Sequence, residues 1–462
     1  MAGSEPDQSI HILLVSYPTQ GHINPLLQFG KRLAAHRGVR CTLAVTRHVL
    51  GSGKQPQPGA VHVATFSDGC DHGGYDEVGD AQAYLARLES AGSVSLGELI
   101  HAESEMGRPV RAVVYDTLLP WVPRVARRHG HGVDCAAFFT HACAVTVAYA
   151  HAWAGKLTVP VVDAPPELPG LSVRLGSADL PNDLSDPGCH LVYRDLMLQQ
   201  CQALEVADHV LINSFHELQA EEAEYMASRW SAKTVGPTVP SAYLDNRLTD
   251  DISYGFHLHT PMAAESKAWL DGRHAHSVVY VSFGSIVALS SDQMAEVAEG
   301  LYNSGRDFLW VVRASETSKV PVGFTDKARE RGLIVTWSPQ LDVLGHPAIG
   351  CFVTHCGWNS TMEGLCTGVP MVAMPQWGDQ SMNAKYIEDM WRVGVRVRPD
   401  AEGMVRKKEL ERCVREVMEG ETSKKCRKNA ASWSEKAKKA MAERGSSDTN
   451  VVDFLSKLRM HA

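Results

Sequence analysis

Short apolar runs alternate along this chain with stretches whose apolar residues recur at helical spacing, and the two periodicities predict its elements. The runs predict strands at His11–Tyr17, Cys41–Thr46, Val61–Phe66, Arg111–Asp116, Asp134–Phe139 and His209–Ser214. After the first of them, the spacing turns helical from Leu26 to Ala35. A second series starts at Val278–Phe283 and continues at Phe308–Val312, Leu333–Trp337, Ile349–Thr354, Pro370–Met374 and Val393–Val397. Between these lie an amphipathic stretch from Asp292 to Tyr302 closed by Gly305, and a helical segment from Thr361 that ends at Gly368. The helix after Gln380 carries Met382, Tyr386, Ile387 and Trp391 on roughly one face. The tail from Arg406 mixes Lys, Arg and Glu at helical spacing, as a solvated surface helix does, and Val451, Val452, Phe454 and Leu455 near the C-terminus need somewhere to dock. Strands that are apolar throughout, separated by helices, predict doubly wound parallel sheets buried on both faces. No short-period repeat interrupts the alternation.

Two irregular stretches do interrupt it. Gly155 to Cys189 is rich in Pro, Gly, Asp and Leu and predicts a long surface loop of the functional or mobile kind. The run from Gly236 to about Met262 holds Pro237, Pro240, Asp250, Asp251 and Pro261 and predicts a linker. A length of 462 residues is too much for one ordinary core. The expected division is an N-terminal domain over 1–237, a linker over 238–262, a C-terminal domain over 263–445, and a final helix over 446–462 that can pack back on the first domain.

Composition narrows the class. With 44% hydrophobic and 21% charged residues the chain reads as a soluble globular protein, and a net charge of −8 speaks against a general nucleic-acid binder. The eleven cysteines are odd in number and scattered, and Cys41, Cys135 and Cys351 fall inside apolar runs, so they read as reduced, buried thiols. No C-x-x-C pair marks a structural zinc site. The N-terminus is polar and acidic, unlike a signal peptide. The longest apolar region, Cys135 to Val162, is broken by His141, His151, Lys156 and Pro160, which favours a buried strand and helix over a membrane span. The expected compartment is the cytoplasm.

The chemistry concentrates between Trp337 and Gln380. Two buried strands flank His355-Cys356-Gly357-Trp358-Asn359-Ser360 and the start of a helix. A helix start points free backbone N–H groups and a positive dipole end at one spot, which suits a phosphate, and His355, Asn359 and Ser360 add side-chain donors there. Glu363, one turn on, is placed to accept from a ribose hydroxyl. Asp379 and Gln380 follow the next strand, where a sugar needs acceptors and donors. His22 lies in the first strand–helix junction, and Asp116 ends the strand Arg111–Asp116. Adjacent strand ends would bring the carboxylate to one imidazole nitrogen, fixing the tautomer and leaving the other nitrogen as a base. Read singly, His22 and Asp116 are also ordinary helix-capping residues, and His355 and Trp358 ordinary core residues. Asp68-Gly-Cys-Asp-His72 could suggest a metal, but its glycine-flanked setting reads as a loop. No D-x-D motif indicates a divalent clamp on a diphosphate.

From Trp337 to Gln380 the sequence resembles the signature box of plant family 1 UDP-glycosyltransferases, and the remainder fits that family's two-domain GT-B fold from end to end, two Rossmann-like domains facing across a cleft. The resemblance implies that Trp337 stacks on uracil, Gln340 contacts the nucleoside, Glu363 holds the ribose, and His355, Asn359 and Ser360 hold the diphosphate. It further implies that Trp358, Asp379 and Gln380 grip the sugar, and that a closing Gln means glucose. Ser285 resembles the family's phosphate contact and Thr140 is placed to touch the sugar, while Val287 stands where some members carry a hydroxyl. The G-H-x-N-P turn with a later strand-end Asp gives His22 and Asp116 the roles of base and orienting carboxylate. The Phe-Ser-Asp-Gly stretch resembles the branch acting on small carboxylates and hydroxylated molecules, in secondary metabolism and detoxification. The implied activity is metal-independent, inverting transfer of glucose from UDP-glucose to a hydroxyl or carboxylate of a small acceptor such as a phenolic, hormone, terpenoid or toxin. The implied protein is a monomer without a membrane span and with no cofactor beyond its co-substrate. The acceptor pocket is expected from Ser67–Asp80, Thr117–Trp121, His141 and the Gly155–Cys189 loop, with closure over the cleft. A retaining transferase or epimerase of the same fold, or a non-catalytic UDP-sugar-binding module, are the rival readings. A dinucleotide dehydrogenase is disfavoured because no G-x-G-x-x-G follows the first strand.

Overall fold

The computed structural model describes residues 10–52, 56–163 and 165–460; the polar N-terminal stretch noted above lies outside the described residues. Two compact units are present. One runs to Ser177 and includes Asp183–Leu258 and the chain from Lys439; the other comprises Ala178–Asn182 and His259–Lys438.

The first unit is a seven-stranded parallel sheet built from β1 (Ile10–Val15), β2 (Val39–Thr46), β3 (His62–Phe66), β4 (Val110–Asp116), β5 (Asp134–Phe139), β6 (His209–Ile212) and β7 (Lys233–Thr234). Their order in the sheet is β3-β2-β1-β4-β5-β6-β7, so the winding reverses between β1 and β4. Strand β7 is too short to leave a pattern in the sequence. All of β1 is buried, including His11, whose ring bonds the Arg108 carbonyl at 2.8 Å and the Thr42 hydroxyl at 2.9 Å, so a polar side chain sits in the sheet without an unmet group. The helix after β1 spans Gln20–Ala34, six residues earlier than the spacing predicted, with Pro25 inside it. His22 is therefore in the helix's first turn and not in the loop before it. The last helix, Ser446–Met460, belongs to this unit and buries Val451, Phe454, Leu455 and Leu458 in the core that holds Phe29 and Leu43.

The segment read as a linker is, as far as Leu258, part of this first unit. Asp251 receives the Lys31 ammonium at 2.8 Å, with both side chains under a tenth exposed, and Asp245 takes a bidentate Arg32. Phe256 enters the core. Proline and aspartate broke the periodicity here, but the aspartates anchor the chain instead of solvating it.

The second unit repeats the design with β8 (Val278–Ser282), β9 (Asp307–Val311), β10 (Gly332–Val335), β11 (Ile349–Thr354), β12 (Met371–Ala373) and β13 (Gly394–Arg396). The order β10-β9-β8-β11-β12-β13 is parallel throughout and reverses between β8 and β11. The charged helix Lys407–Met418 is amphipathic: Leu410, Cys413, Val414 and Val417 are in the core. The helix after β12 spans Gln380–Lys385 and widens into a π turn over Tyr386–Met390. Tyr17, Ser214, Phe283 and Trp337 were expected inside strands and lie just past the ends of β1, β6, β8 and β10. All eleven cysteines are free thiols, and every one but Cys189 is buried.

Candidate active site

In an open parallel sheet, the groups at the carboxyl ends of the strands flanking the winding reversal converge on one crevice. In the first unit those strands are β1 and β4. The helix that follows β1 delivers His22, and β4 ends on Asp116. His22 Nδ1 is 2.6 Å from Asp116 Oδ2. Asp116 is fully buried, while the His22 side chain keeps about a fifth of its surface exposed. An ionised carboxylate only accepts, so Nδ1 carries the proton and Nε2 keeps its lone pair. The other Asp116 oxygen accepts the Leu118 N–H at 3.0 Å, which fixes the carboxylate plane and shows that it also serves the local turn. Thr140, just past β5, brings Oγ1 to 3.5 Å from the same Nδ1, and the Tyr17 ring meets the imidazole edge-on at 5.5 Å.

Sequence reasoning missed what secures the helix start. Gln20 donates to Asn24 Oδ1 at 2.7 Å and to the Phe256 carbonyl at 2.8 Å, and it accepts from the Leu258 N–H at 2.7 Å. His141 is electrostatically coupled to His22, and its Nδ1 is buried with no hydrogen-bond partner. Burial, reinforced by the neighbouring imidazole, pushes its pKa down to about 4. The Asp68–His72 segment is tied as a loop: Asp68 accepts from the Tyr84 hydroxyl at 3.0 Å, and Asp71 from Ser67 at 2.7 Å and Arg47 at 2.8 Å. Among the described residues no group of three or more His, Cys, Asp or Glu is placed to hold a metal ion.

In the second unit the strands flanking the reversal are β8 and β11. Gly284 and Ser285 follow β8, and His355 follows β11. Gly284, at φ +74°, lies close against the His355 imidazole, and a Cβ there would come within 2.8 Å of the ring. His355 is buried, its Nδ1 has no hydrogen-bond partner, and desolvation pushes its pKa down to about 4, so the ring is neutral near pH 7. The helix Trp358–Thr367 starts directly beyond it, with no acidic residue in its first turn and with Asn359 and Ser360 there. Its last turn closes on Gly368 at φ +72°, a left-handed position that favours glycine.

Gln340 joins the parts. It opens the short helix Gln340–Leu344, donates to Ser360 Oγ at 2.8 Å and to the Glu363 carboxylate, and accepts from the Tyr280 hydroxyl at 3.2 Å. Trp337 is half-buried; the His259 ring covers it at 4.3 Å between centroids, and the Met262 N–H holds its carbonyl at 2.9 Å. Trp358 opens the signature helix, but its side chain is buried near Trp391, at 6.2 Å between centroids, so its backbone is the part that can face a ligand. Asp379 Oδ2 accepts from Asn383 at 2.8 Å. Gln380 Oε1 accepts the N–H groups of Gln376 and Trp377 at 2.9 and 3.1 Å, which leaves its amide nitrogen as the end for a ligand. Val287 is packed in the core of the unit. Arg313, unmarked by any motif, donates to the Gly284 carbonyl at 3.3 Å and adds a cation beside His355. The structure thus gathers Gln340, Ser360 and Glu363 in one network, and His22, Asp116 and Thr140 in another.

Comparison with known proteins follows the same lines. The family model for UDP-glucoronosyl and UDP-glucosyl transferase matches residues 214–435. The chain is 47% identical over 450 residues to UDP-glucosyltransferase UGT13248 of Hordeum vulgare subsp. vulgare, covering 96% of this chain and 94% of that protein. It is 47% identical to crocetin glucosyltransferase 2 of Crocus sativus, covering 96% of both. The crystal structure of Os79 from O. sativa in complex with UDP superposes with a TM-score of 0.93 at 44% identity, over 97% of this chain and all of that one. A second Os79 structure, in complex with U2F and trichothecene, has a TM-score of 0.90 at 43% identity over the same shares. The paired Rossmann-like units are those of the GT-B fold, and the chain belongs to the UDP-glucoronosyl and UDP-glucosyl transferase family.

Proposed function

We propose that this protein transfers glucose from UDP-glucose to a hydroxyl or carboxylate of a small acceptor, inverting C1. The observation that carries the reading is the 2.6 Å contact between His22 Nδ1 and buried Asp116. It leaves Nε2 as a base and supplies a carboxylate to stabilise the imidazolium once the acceptor's proton has moved. The acceptor oxygen attacks C1 from the face opposite UDP, its bond forms as the bond from C1 to the phosphate oxygen breaks, and a β-glucoside or glucose ester results. Thr140 touches the sugar. In the second unit Trp337 stacks on uracil, Gln340 and Glu363 hold the nucleoside and ribose, and Ser285, His355, Asn359 and Ser360 take the diphosphate. Asp379, Gln380 and the Trp358 backbone hold the sugar. Preorganised donors at a helix start stabilise the leaving diphosphate where a metal would otherwise serve. The names of the relatives, UDP-glucosyltransferases among them, and the UDP and trichothecene in the rice structures support this donor and a small acceptor. Secondary metabolism and detoxification are the fitting roles. Among the described residues no helix is long and apolar enough to cross a membrane, and we place the enzyme in the cytoplasm.

The test is transfer to a neutral alcohol and to a carboxylic acid, with and without His22. His22→Ala is expected to lose about 10²- to 10⁴-fold with the alcohol, the usual worth of general-base help, and much less with the already ionised acid. Full retained rate with the alcohol would refute the base assignment. Activity should survive EDTA, and NMR of the product should show the β anomer; an α product would favour the retaining alternative.

A further inference from the structure

The five residues Ala178–Asn182 belong to the second unit, although the chain on both sides of them belongs to the first. Two sets of contacts hold them there. Asp179 pairs with Arg396 of β13 at 2.7 Å and lies 3.6 Å from the ammonium of Lys385, the last residue of the helix Gln380–Lys385. Arg396 also donates to the Ala178 carbonyl at 3.2 Å. Asn182 then closes on a single residue through two bonds: its backbone N–H donates to the Gly378 carbonyl at 3.1 Å, and its side-chain oxygen accepts the Gly378 N–H.

Gly378, at φ +63°, is the turn residue immediately before Asp379 and Gln380. The same loop is fastened on its other side by Gln380 Oε1 to the N–H groups of Gln376 and Trp377. Asn383 adds a tie, donating to both Asp379 Oδ2 at 2.8 Å and the Cys356 carbonyl at 2.9 Å. The turn carrying Asp379 and Gln380 is therefore held between internal bonds and one external clamp. None of these bonds runs to Trp337, Gln340, Ser360 or Glu363.

We infer that Asn182 is a positioning residue for the sugar half of the donor site, holding Gly378 so that Asp379 and Gln380 meet the hexose while the nucleotide half forms without it. This rests on the assignment of Asp379 and Gln380 to the sugar. A clamp of this kind fixes direction and register and adds no contact of its own, because the hydroxyl-binding groups lie one and two residues beyond the glycine it grips.

The test compares UDP with UDP-glucose as ligands of the full-length protein, by calorimetry and by steady-state kinetics. Asn182→Ala removes the side-chain acceptor; Asn182→Asp keeps an oxygen for the Gly378 N–H. For Asn182→Ala we expect UDP-glucose affinity to fall about three- to tenfold, the worth of one net hydrogen bond, with UDP affinity within about twofold of the parent. KM for UDP-glucose should rise while KM for the acceptor stays, and Asn182→Asp should restore both. Equal losses for UDP and UDP-glucose, no loss for either, or failure of Asn182→Asp to rescue would overturn the inference. Should Asn182→Ala not fold, Asp179→Asn weakens the same anchor through Arg396 and must show the same selective loss. Asp379→Ala and Gln380→Ala variants that lose affinity for UDP and UDP-glucose alike, or for neither, would instead refute the sugar assignment of those two residues, and the clamp's role with it.

Discussion

At the scale of single residues, the chemistry was most legible where it was densest. His355, Asn359, Ser360 and Glu363 fall within nine positions of one strand–helix junction, so local periodicity alone placed them together. His22 and Asp116 needed one further rule, that strand ends flanking the reversal of a parallel sheet converge. Asn182 and Gln20 left no trace, because their partners are 196 and 238 positions away and neither lies in a local pattern. Two histidines carry a prediction of their own. Burial holds His355 near pKa 4 against an ordinary 6.5 and does the same to His141. Between those values the unfolded chain binds a proton that the folded one refuses, so stability is present above about pH 6.5 and falls as the pH drops through that window. Each histidine contributes a slope approaching about 1.4 kcal/mol per pH unit. His355→Gln should shrink the loss of urea-measured stability between pH 7 and pH 5 by about 2 kcal/mol for the unit it belongs to. An unchanged difference would mean that the ring is already protonated or solvated in the folded state.

At the scale of elements, strand interiors read correctly and element ends only in part. β5 and β11 begin and end where apolarity alone put them, Asp134–Phe139 and Ile349–Thr354. Phe283 and Trp337 extend the apolar runs of β8 and β10, but their backbone has already turned out of the sheet. Pro25 hid the true start of the helix Gln20–Ala34, since a proline without an N–H normally marks a boundary; here Gln20 anchors the turn before it through tertiary bonds. The short helix Gln340–Leu344 shows how an element far too small to stand alone becomes decisive. Its first residue bonds Ser360 and Glu363 of the signature helix and takes the Tyr280 hydroxyl of β8, so one side chain ties two helices and a strand. Gln340→Ala removes a donor to a buried carboxylate, the more valuable kind of hydrogen bond at about 1.5–3 kcal/mol. UDP affinity measured by calorimetry should drop roughly tenfold to hundredfold. Retained affinity would show that Glu363 and Ser360 are held in place without it.

At the scale of the whole molecule, chain order and unit membership part company. The composition and length led to two α/β bodies in succession, yet the first body is finished only by the last helix of the chain, Ser446–Met460. Val451, Phe454, Leu455 and Leu458 are buried against a core that also contains Phe29, Leu43 and Phe138. Phe454 meets the His209 ring edge-on at 5.1 Å and lies tilted against Phe29 at 6.3 Å. The apolar stripe of this helix needs a partner, and the core of the first unit supplies it. Because the second unit ends at Lys438 with its own core filled by Leu410, Val414 and Val417, a cavity at Phe454 should weaken one body alone. Phe454→Ala is expected to cost the first unit about 3–5 kcal/mol, the usual loss for a buried aromatic truncated to alanine. In urea this should appear as an earlier transition followed by a later one, while UDP binding, which we propose the second unit makes, persists past the first. A single transition shifted as a whole, with UDP binding lost at its midpoint, would mean that the two cores fold and fail together.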